Sequence, residues 1–247
     1  MHSFPAPRDI IAPIAMTAAS LSARLGALFP PGTVAAELCE PGDPALLLPA
    51  ETAHVGRAAP KRVQEFAAGR LCARRALAEF GIREVPVEVA DDRRPLWPAS
   101  MVGSITHTTG FCAAAVAERL RVLALGLDSE VVGDVNEEIW PRICLPRERA
   151  WIESLPAPER ASAVTLIFSA KEAFYKCQYP LVRQPLSFHD VRIEALTWGA
   201  AEGVFEIHAT GNIALSKHAR LPVPGRYLFH EGLVTAGVGL AAIESPQ

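Results

Sequence analysis

The chain has 247 residues, half of them hydrophobic, with a formal net charge of −3. That length accommodates one large domain or two small ones with a real core, and the weak acidity argues against a general nucleic-acid binder. Five scattered cysteines (Cys39, Cys72, Cys112, Cys144, Cys177) show no C-x-x-C spacing and read as reduced core thiols, which excludes a disulfide scaffold and a zinc site. Apolar residues at Ile10–Met16 are interrupted by Pro13 with no long apolar run after them, so no signal peptide or membrane span is expected and the cytoplasm is the default location.

In chain order, Leu21–Leu28 is a short helix candidate and Val34–Leu38 a strand; Pro41-Gly42-Asp43-Pro44 marks a turn. Residues 61–80 read as a helix, with Phe66, Leu71, Cys72, Leu77 and Phe80 near helical spacing and Gly81 at the stop. Val85–Val89 alternates like a strand, and Asp91–Pro98 reads as a charged, proline-bearing loop. Met101–Ile105 and Phe111–Val116 flank Thr-His-Thr-Thr-Gly as a hairpin would, and Val122–Leu127 reads as a buried strand. Ile139–Leu145 and Arg147–Leu155 suggest short helices; Ala161–Tyr179 suggests a long one stopped by Pro180. Val191–Leu196, Val204–Ala209, Arg226–Glu231 and Leu233–Ile243 look like strands of a closing sheet. Periodicity alone supports only an α+β fold; the order of helices and strands also leaves room for two halves meeting near residues 117–122.

Two acidic motifs stand out, Gly126-Leu127-Asp128-Ser129-Glu130 and Phe168-Ser169-Ala170-Lys171-Glu172-Ala173-Phe174-Tyr175-Lys176. Residues two apart on an extended chain point the same way, so Asp128 and Glu130 face one spot while Ser129 faces the opposite side. Three carboxylates gathered there, with Glu172, repel one another unless a cation sits among them, and an all-oxygen set suits a hard ion such as Mg²⁺. Lysines 171 and 176 beside it suit a substrate carrying phosphate. Each motif also has a plain structural reading. Glu172 and Lys176 are spaced as an i,i+4 surface pair, His107 in a hairpin can simply bond a carbonyl, Arg62 and Arg70 can be solvated helix charges, and Trp97 reads as packing.

Together, GLDSE and FSAKEAFYK resemble the paired signature of the 4'-phosphopantetheinyl transferases of the surfactin and enterobactin-synthase type. Gly103-Ser104-Ile105-Thr106-His107, Lys61-Arg62-Val63-Gln64-Glu65-Phe66-Ala67-Ala68-Gly69-Arg70 and Pro95-Leu96-Trp97-Pro98 are similar to three further family segments, in the family's order. The resemblance implies a pseudodimer of two similar subdomains, 1–119 and 120–247, each a small antiparallel sheet packed on a long helix, with the active site in the cleft between them. It implies transfer of the 4'-phosphopantetheine arm of coenzyme A to a serine of an apo acyl or peptidyl carrier protein by a monomer, with Mg²⁺ (or Mn²⁺) held by Asp128, Glu130 and Glu172. Catalysis would fall to Glu172, directly or through a water, with Lys176 and Lys171 on the diphosphate. Arg62, Arg70, Thr106 and His107 would bind coenzyme A, the arginines and His107 at its 3'-phosphate. Asp92 stands where some relatives have a lysine, and Arg93 or Arg94 would supply that charge. Arg142, Arg147 and Arg149 form a candidate docking patch for the carrier. A diphosphate hydrolase with the same metal logic and a non-catalytic coenzyme A binder are the alternative classes.

Overall fold

The computed structural model describes residues 18–242 except Asn212 and His218; the apolar stretch Ile10–Met16 and the end of the expected strand at Ile243 lie outside the described residues. The chain opens with helix α1 (Ala18–Gly26), strand β1 (Val34–Leu38), a 3-10 turn at Pro44–Leu46, the one-turn helix α2 (Pro49–Thr52) and the long helix α3 (Pro60–Ala78). Gly81, at φ +75°, ends that helical stretch, as its position after the last apolar residue predicts. Strands β2 (Glu88–Val89) and β3 (Pro95–Leu96) form a small hairpin within the segment read as a strand followed by a loop. Two-residue strands are too short to leave an alternation signal. Then come β4 (Met101–Thr108), β5 (Phe111–Glu118) and β6 (Val122–Val131). After β6 lie a 3-10 turn at Glu137–Ile139 and helices α4 (Trp140–Ile143), α5 (Pro146–Ser154) and α6 (Ala157–Val182). The chain closes with β7 (Val191–Ala195), β8 (Glu202–Ala209), β9 (Val223–His230) and β10 (Leu233–Ala241).

The structure is a mixed fold of α-helices and antiparallel sheets. One sheet has the order β1-β5-β4, the other β6-β10-β9-β8-β7. Strand β5 shows why two layers can flank the first sheet. Phe111, Ala113, Ala115 and Ala117 point into a core shared with α1 and with Leu125, Leu127, Leu228 and Leu233 of the second sheet. The alternate residues Cys112, Ala114 and Val116 pack on Ala68, Cys72, Ala73, Ala76 and Leu77 of α3. The second sheet likewise carries α6 on its far face, where Ala170, Ala173, Phe174 and Cys177 pack on Phe205, Ile207, Val234, Ala236 and Val238. Small residues at these positions let helix and sheet approach. The extreme case is Gly126 on β6, where an added Cβ would lie 1.8 Å from the Ala173 carbonyl oxygen of α6.

Helix α6 corrects one expectation: it runs through Pro180 to Val182. A proline in the last turn removes only one backbone donor, and the helix stops where Arg183 turns left-handed (φ 54°), its N–H closing on the Tyr179 carbonyl. Cys39 is exposed and so departs from the core-thiol reading; the other four cysteines are buried, and all five are free. Among the described residues, no helix is long and apolar enough to cross a membrane.

Candidate active site

Strand β6 is an edge strand, hydrogen-bonded on one side to β10. Its other edge is capped by side chains of the first sheet. Ser104 Oγ accepts from Leu127 N (3.0 Å) and Thr106 Oγ1 accepts from Ser129 N (2.9 Å). Alternation makes the match: 104 and 106 share a face on β4, as 127 and 129 share an edge on β6. Ser104 and Thr106 are both buried. These two hydroxyls therefore lock the carboxylate-bearing strand to β4, a role not read from the sequence, where Thr106 stood as a ligand donor.

The same alternation sorts the side chains of β6. Ser129 turns inward and bonds Thr235 Oγ1 on β10 (2.8 Å), which in turn meets His230 Nε2 (2.9 Å). Asp128 turns toward α6. Its Oδ1 accepts from Lys176 Nζ (2.7 Å), whose ammonium also reaches the Leu127 carbonyl (3.1 Å), while Ser169 Oγ holds the Asp128 carbonyl (3.0 Å). Asp128 Oδ2 is buried with no hydrogen-bond partner. Burial and the neighbouring Asp128 charge push the Glu130 carboxyl up to about 7, with Glu172 adding to the rise and Lys176 opposing it. Burial and Asp128 likewise raise Glu172. The three carboxylates thus lie within electrostatic reach of one another, as the strand-and-helix reading expects. Among the described residues, no three His, Cys, Asp or Glu side chains stand close enough to hold a metal ion without rearrangement.

Across from them, α3 and β4 supply Arg62 and His107. His107 Nε2 lies 2.8 Å from Arg62 Nη1, and Glu65 Oε2 is 3.5 Å from the ring and 3.4 Å from the guanidinium. Burial and the Arg62 charge lower the His107 pKa, so the ring is neutral near pH 7 and accepts from Arg62. Lys176 and Asp128 also act on this imidazole. The pair on α3 and β4 therefore faces the same space as the carboxylates on β6 and α6.

Three expected site residues are committed elsewhere. Arg70 is buried against the Phe66 ring (4.0 Å) with Nε donating to the Val87 carbonyl (2.6 Å), and burial lowers its pKa to about 10. Thr106 caps β6. Lys171 is 3% exposed, and its ammonium donates to the carbonyls of Ile143 (2.8 Å) and Phe188 (2.7 Å) and to Glu148 Oε2 (2.8 Å). Arg93 is exposed, at φ 69° in the β2–β3 turn. Its neighbour Asp92 pairs with Arg94 and, across to the end of α6, with Arg183. The sequence left Glu148 and Arg183 unmarked, and Glu148 announces itself only as the third residue after Leu145 in Leu145-Pro146-Arg147-Glu148, a helix-start pattern. A cleft of about 380 Å³ opens beside Glu172, lined also by Lys171 and walled by Arg142, Phe174, Tyr175, Leu186 and Phe188.

Residues 50–117 match the family model of the 4'-phosphopantetheinyl transferase N-terminal domain, and residues 124–227 that of the 4'-phosphopantetheinyl transferase superfamily. The chain belongs to this family. It is 38% identical over 207 residues to the 4'-phosphopantetheinyl transferase Svp of Streptomyces mobaraensis, covering 82% of each chain. It is 33% identical to the transferase Npt of Nocardia iowensis, over 87% of this chain and 98% of that one. With PptT of Mycobacterium tuberculosis it shares 34% identity over 78% and 86% of the two chains. The protein is accordingly a transferase, and the clustered groups of β4, β6, α3 and α6 all fall inside the matched spans.

Proposed function

We propose that the protein moves the 4'-phosphopantetheine group of coenzyme A onto a serine hydroxyl of an apo acyl or peptidyl carrier protein, releasing adenosine 3',5'-bisphosphate. One observation carries this reading beyond family membership. Asp128 and Lys176, on β6 and α6, act electrostatically on His107 of β4, whose ring lies 2.8 Å from Arg62, although β4 and β6 belong to different sheets. A substrate with phosphates at both ends of a nucleotide fits such a split site: cations for the 3'-phosphate on one side, carboxylates and a lysine for the diphosphate on the other.

The donor set fits a divalent cation. It is all oxygen, it contains the unpartnered Asp128 Oδ2, and two of its carboxyls are pushed up by burial and by the Asp128 charge. Asp128, Glu130 and Glu172 would hold Mg²⁺ or Mn²⁺, with Lys176 yielding Asp128. When bound, the ion offsets negative charge on the diphosphate. The chain's own groups do the rest. Glu172 takes the serine proton directly or through one water. The serine oxygen bonds the phosphorus that carries pantetheine, and the bond from that phosphorus to the bridging oxygen breaks. Lys176, freed from Asp128, pairs with the departing phosphate oxygen. Arg62, with His107 beside it, holds the 3'-phosphate. The apolar-walled cleft beside Glu172 takes the pantetheine arm, and Arg142 at its rim, with Arg147 and Arg149, meets an acidic carrier.

The two similar subdomains, 1–119 and 120–247, belong to this proposal, as does function as a monomer. The division leaves Arg62 and His107 in one part and the carboxylates in the other, so neither holds coenzyme A and metal alone. The test is mass spectrometry of apo carrier domains incubated with the protein, coenzyme A and Mg²⁺. The carrier should gain the mass of phosphopantetheine, and no gain on carriers of fatty-acid, polyketide and peptide synthases alike would end the reading.

A further inference from the structure

The two long helices are held by the same device. In the second half, Glu148 Oε2 accepts from Leu145 N (2.7 Å) and from Lys171 Nζ, while Oε1 accepts from Ile193 N of β7 (2.7 Å). Lys171 also donates to the Ile143 carbonyl. In the first half, Glu51 Oε2 accepts from Leu48 N (3.0 Å) and from Arg74 of α3, while Oε1 accepts from Val87 N (3.0 Å); Arg74 also donates to the Leu46 carbonyl. Both glutamates stand in a Leu-Pro-x-Glu turn, Leu48-Pro49-Ala50-Glu51 and Leu145-Pro146-Arg147-Glu148. Leucine, glutamate, cation and the carbonyl that the cation holds are all offset by the same number of residues between the halves. Arg74 is nowhere near the carboxylates of β6 in any contact it makes, so the device serves architecture in at least one copy.

We infer that Lys171 is a positioning residue: its pairing with Glu148 fixes the rotation of α6 and the walls of the cleft beside Glu172, and it does not touch the diphosphate. The inference deepens the proposed function and rests on that reading for its substrate. Glu148 and Lys171 are each about 1% exposed at the side chain, and every ammonium proton of Lys171 has an acceptor in the protein. Reaching a phosphate would strand a buried carboxylate and two carbonyls, a loss that a single phosphate contact does not offset. The segments it ties are the cleft's own. Ile143 follows Arg142, Phe188 is itself a wall, and Glu172 is the next residue on the helix. A helix residue turns about 100° from its neighbour, so anchoring Lys171 inward aims Glu172 toward Asp128 and Glu130.

Reductive methylation of the unaltered protein, read lysine by lysine by mass spectrometry, tests this without a variant. Lys176, part-exposed, should be methylated in the free protein and protected by coenzyme A; Lys171 should stay unmodified with and without it. Methylation of Lys171 in the free protein with protection by coenzyme A would overturn the inference. The functional arm uses Glu148→Gln, Lys171→Met and the double variant, each checked for folding by near-ultraviolet circular dichroism. Loss of a supporting contact of this kind typically costs about 10- to 100-fold, here in kcat/KM for coenzyme A. Affinity for adenosine 3',5'-bisphosphate, which lacks the pantetheine arm, should hold, and the double variant should be no worse than Lys171→Met alone. Unchanged kcat/KM in folded Glu148→Gln, or additive losses in the double variant, would count against a shared positioning role. Where Lys171→Met does not fold, the Glu148→Gln result and the methylation pattern decide. Transfer by the unaltered protein, assayed in parallel, keeps the two readings apart: its absence would sink the reaction, whereas the methylation pattern reports on Lys171 whatever the reaction is.

Discussion

The first half of the chain and the second carry the same glutamate–cation anchor but different chemistry next to it. After Arg74 on α3 come Arg75 and, one turn on, Glu79, both exposed. After Lys171 on α6, at the same spacing, come Glu172 and Lys176, both partly buried against β6. The anchor in the first half is wetter too: Arg74 is 15% exposed at the side chain, Lys171 1%. The scaffold thus offers two equivalent positions, and only one of them faces a buried carboxylate strand, where burial and the Asp128 charge raise Glu172. What separates a partly buried helix face from a solvated one here is desolvation and charge proximity, with the same backbone beneath both.

The most forceful way to break that comparison is to remove the acid from the second half. Glu172→Ala should lower kcat by about 10²–10⁴-fold, the usual worth of a general base, with the fold intact by circular dichroism. Its counterpart Arg75→Ala should leave transfer unchanged, since an exposed charge away from partners is worth within about ±0.5 kcal/mol. A comparable loss in both variants would mean the two faces are not functionally distinct.

Next in size is the anchor of the first half. Glu51 is fully buried, accepts two backbone N–H groups and pairs with Arg74. Breaking such a pair by deleting one partner costs about 3–5 kcal/mol, so Glu51→Ala should show a large fall in the midpoint of urea unfolding. If the first half only supports the site, kcat of the folded fraction at low temperature should stay near that of the unaltered protein. A specific collapse of kcat with stability unchanged would instead put Glu51 in the chemistry.

The cationic pair gives a smaller and more selective effect. Arg62→Ala should weaken coenzyme A binding by about ten- to a hundredfold, the worth of a charged hydrogen bond of roughly 1.5–3 kcal/mol. Binding of 3'-dephospho-coenzyme A should barely change, as isothermal titration would show. Equal losses for the two ligands would show that this side of the cleft does not read the 3'-phosphate. Arg70, committed to the Val87 carbonyl, should not show that ligand selectivity when replaced.

Much of this was legible beforehand, and the reason is periodicity. Strict alternation along β6 put Asp128 and Glu130 on one face and Ser129 on the other, and the structure keeps that arrangement because α6 covers one face and the core shared with α1 and β5 lies against the other. The hairpin around Thr106–Gly110 and the β1 span were equally readable. What could not be read was the direction taken by long or hydroxylated side chains. Lys171, Arg70 and Thr106 sit in motifs beside Glu172, Arg62 and His107, and sequence gives an inward-turned lysine the same letter as an outward one. Which of them turns inward depends on hydrogen-bond partners far along the chain: the accepting carbonyls of Ile143, Phe188 and Val87, and the donating N–H of Ser129. The repeated Leu-Pro-x-Glu turns were in plain view but are too short to register as a repeat without their shared contacts.

The smallest predicted effect concerns the back of β6, away from the reactive face. His230 is buried against Phe111 and reaches Thr235, which holds Ser129, while its Nδ1 has no partner; burial lowers its pKa from 6.5 to about 4. The folded state therefore keeps this ring neutral over a range in which the unfolded chain protonates it. The unfolded state binds more protons between those two values, so stability rises with pH there and is lost as pH falls below about 6.5 toward about 4. From this group alone the loss between about pH 7 and pH 5 is on the order of 2 kcal/mol. Glu130 and Glu172 work the other way, because their raised carboxyls favour the folded state as pH falls. The informative quantity is thus the difference between the unaltered protein and His230→Gln, which keeps a hydrogen-bonding group near Thr235 but cannot titrate. Urea unfolding across that pH range should show the variant losing less stability on acidification. Parallel curves would mean that His230 is not held neutral, and that the Ser129–Thr235–His230 chain behind the carboxylate strand is looser than its distances imply.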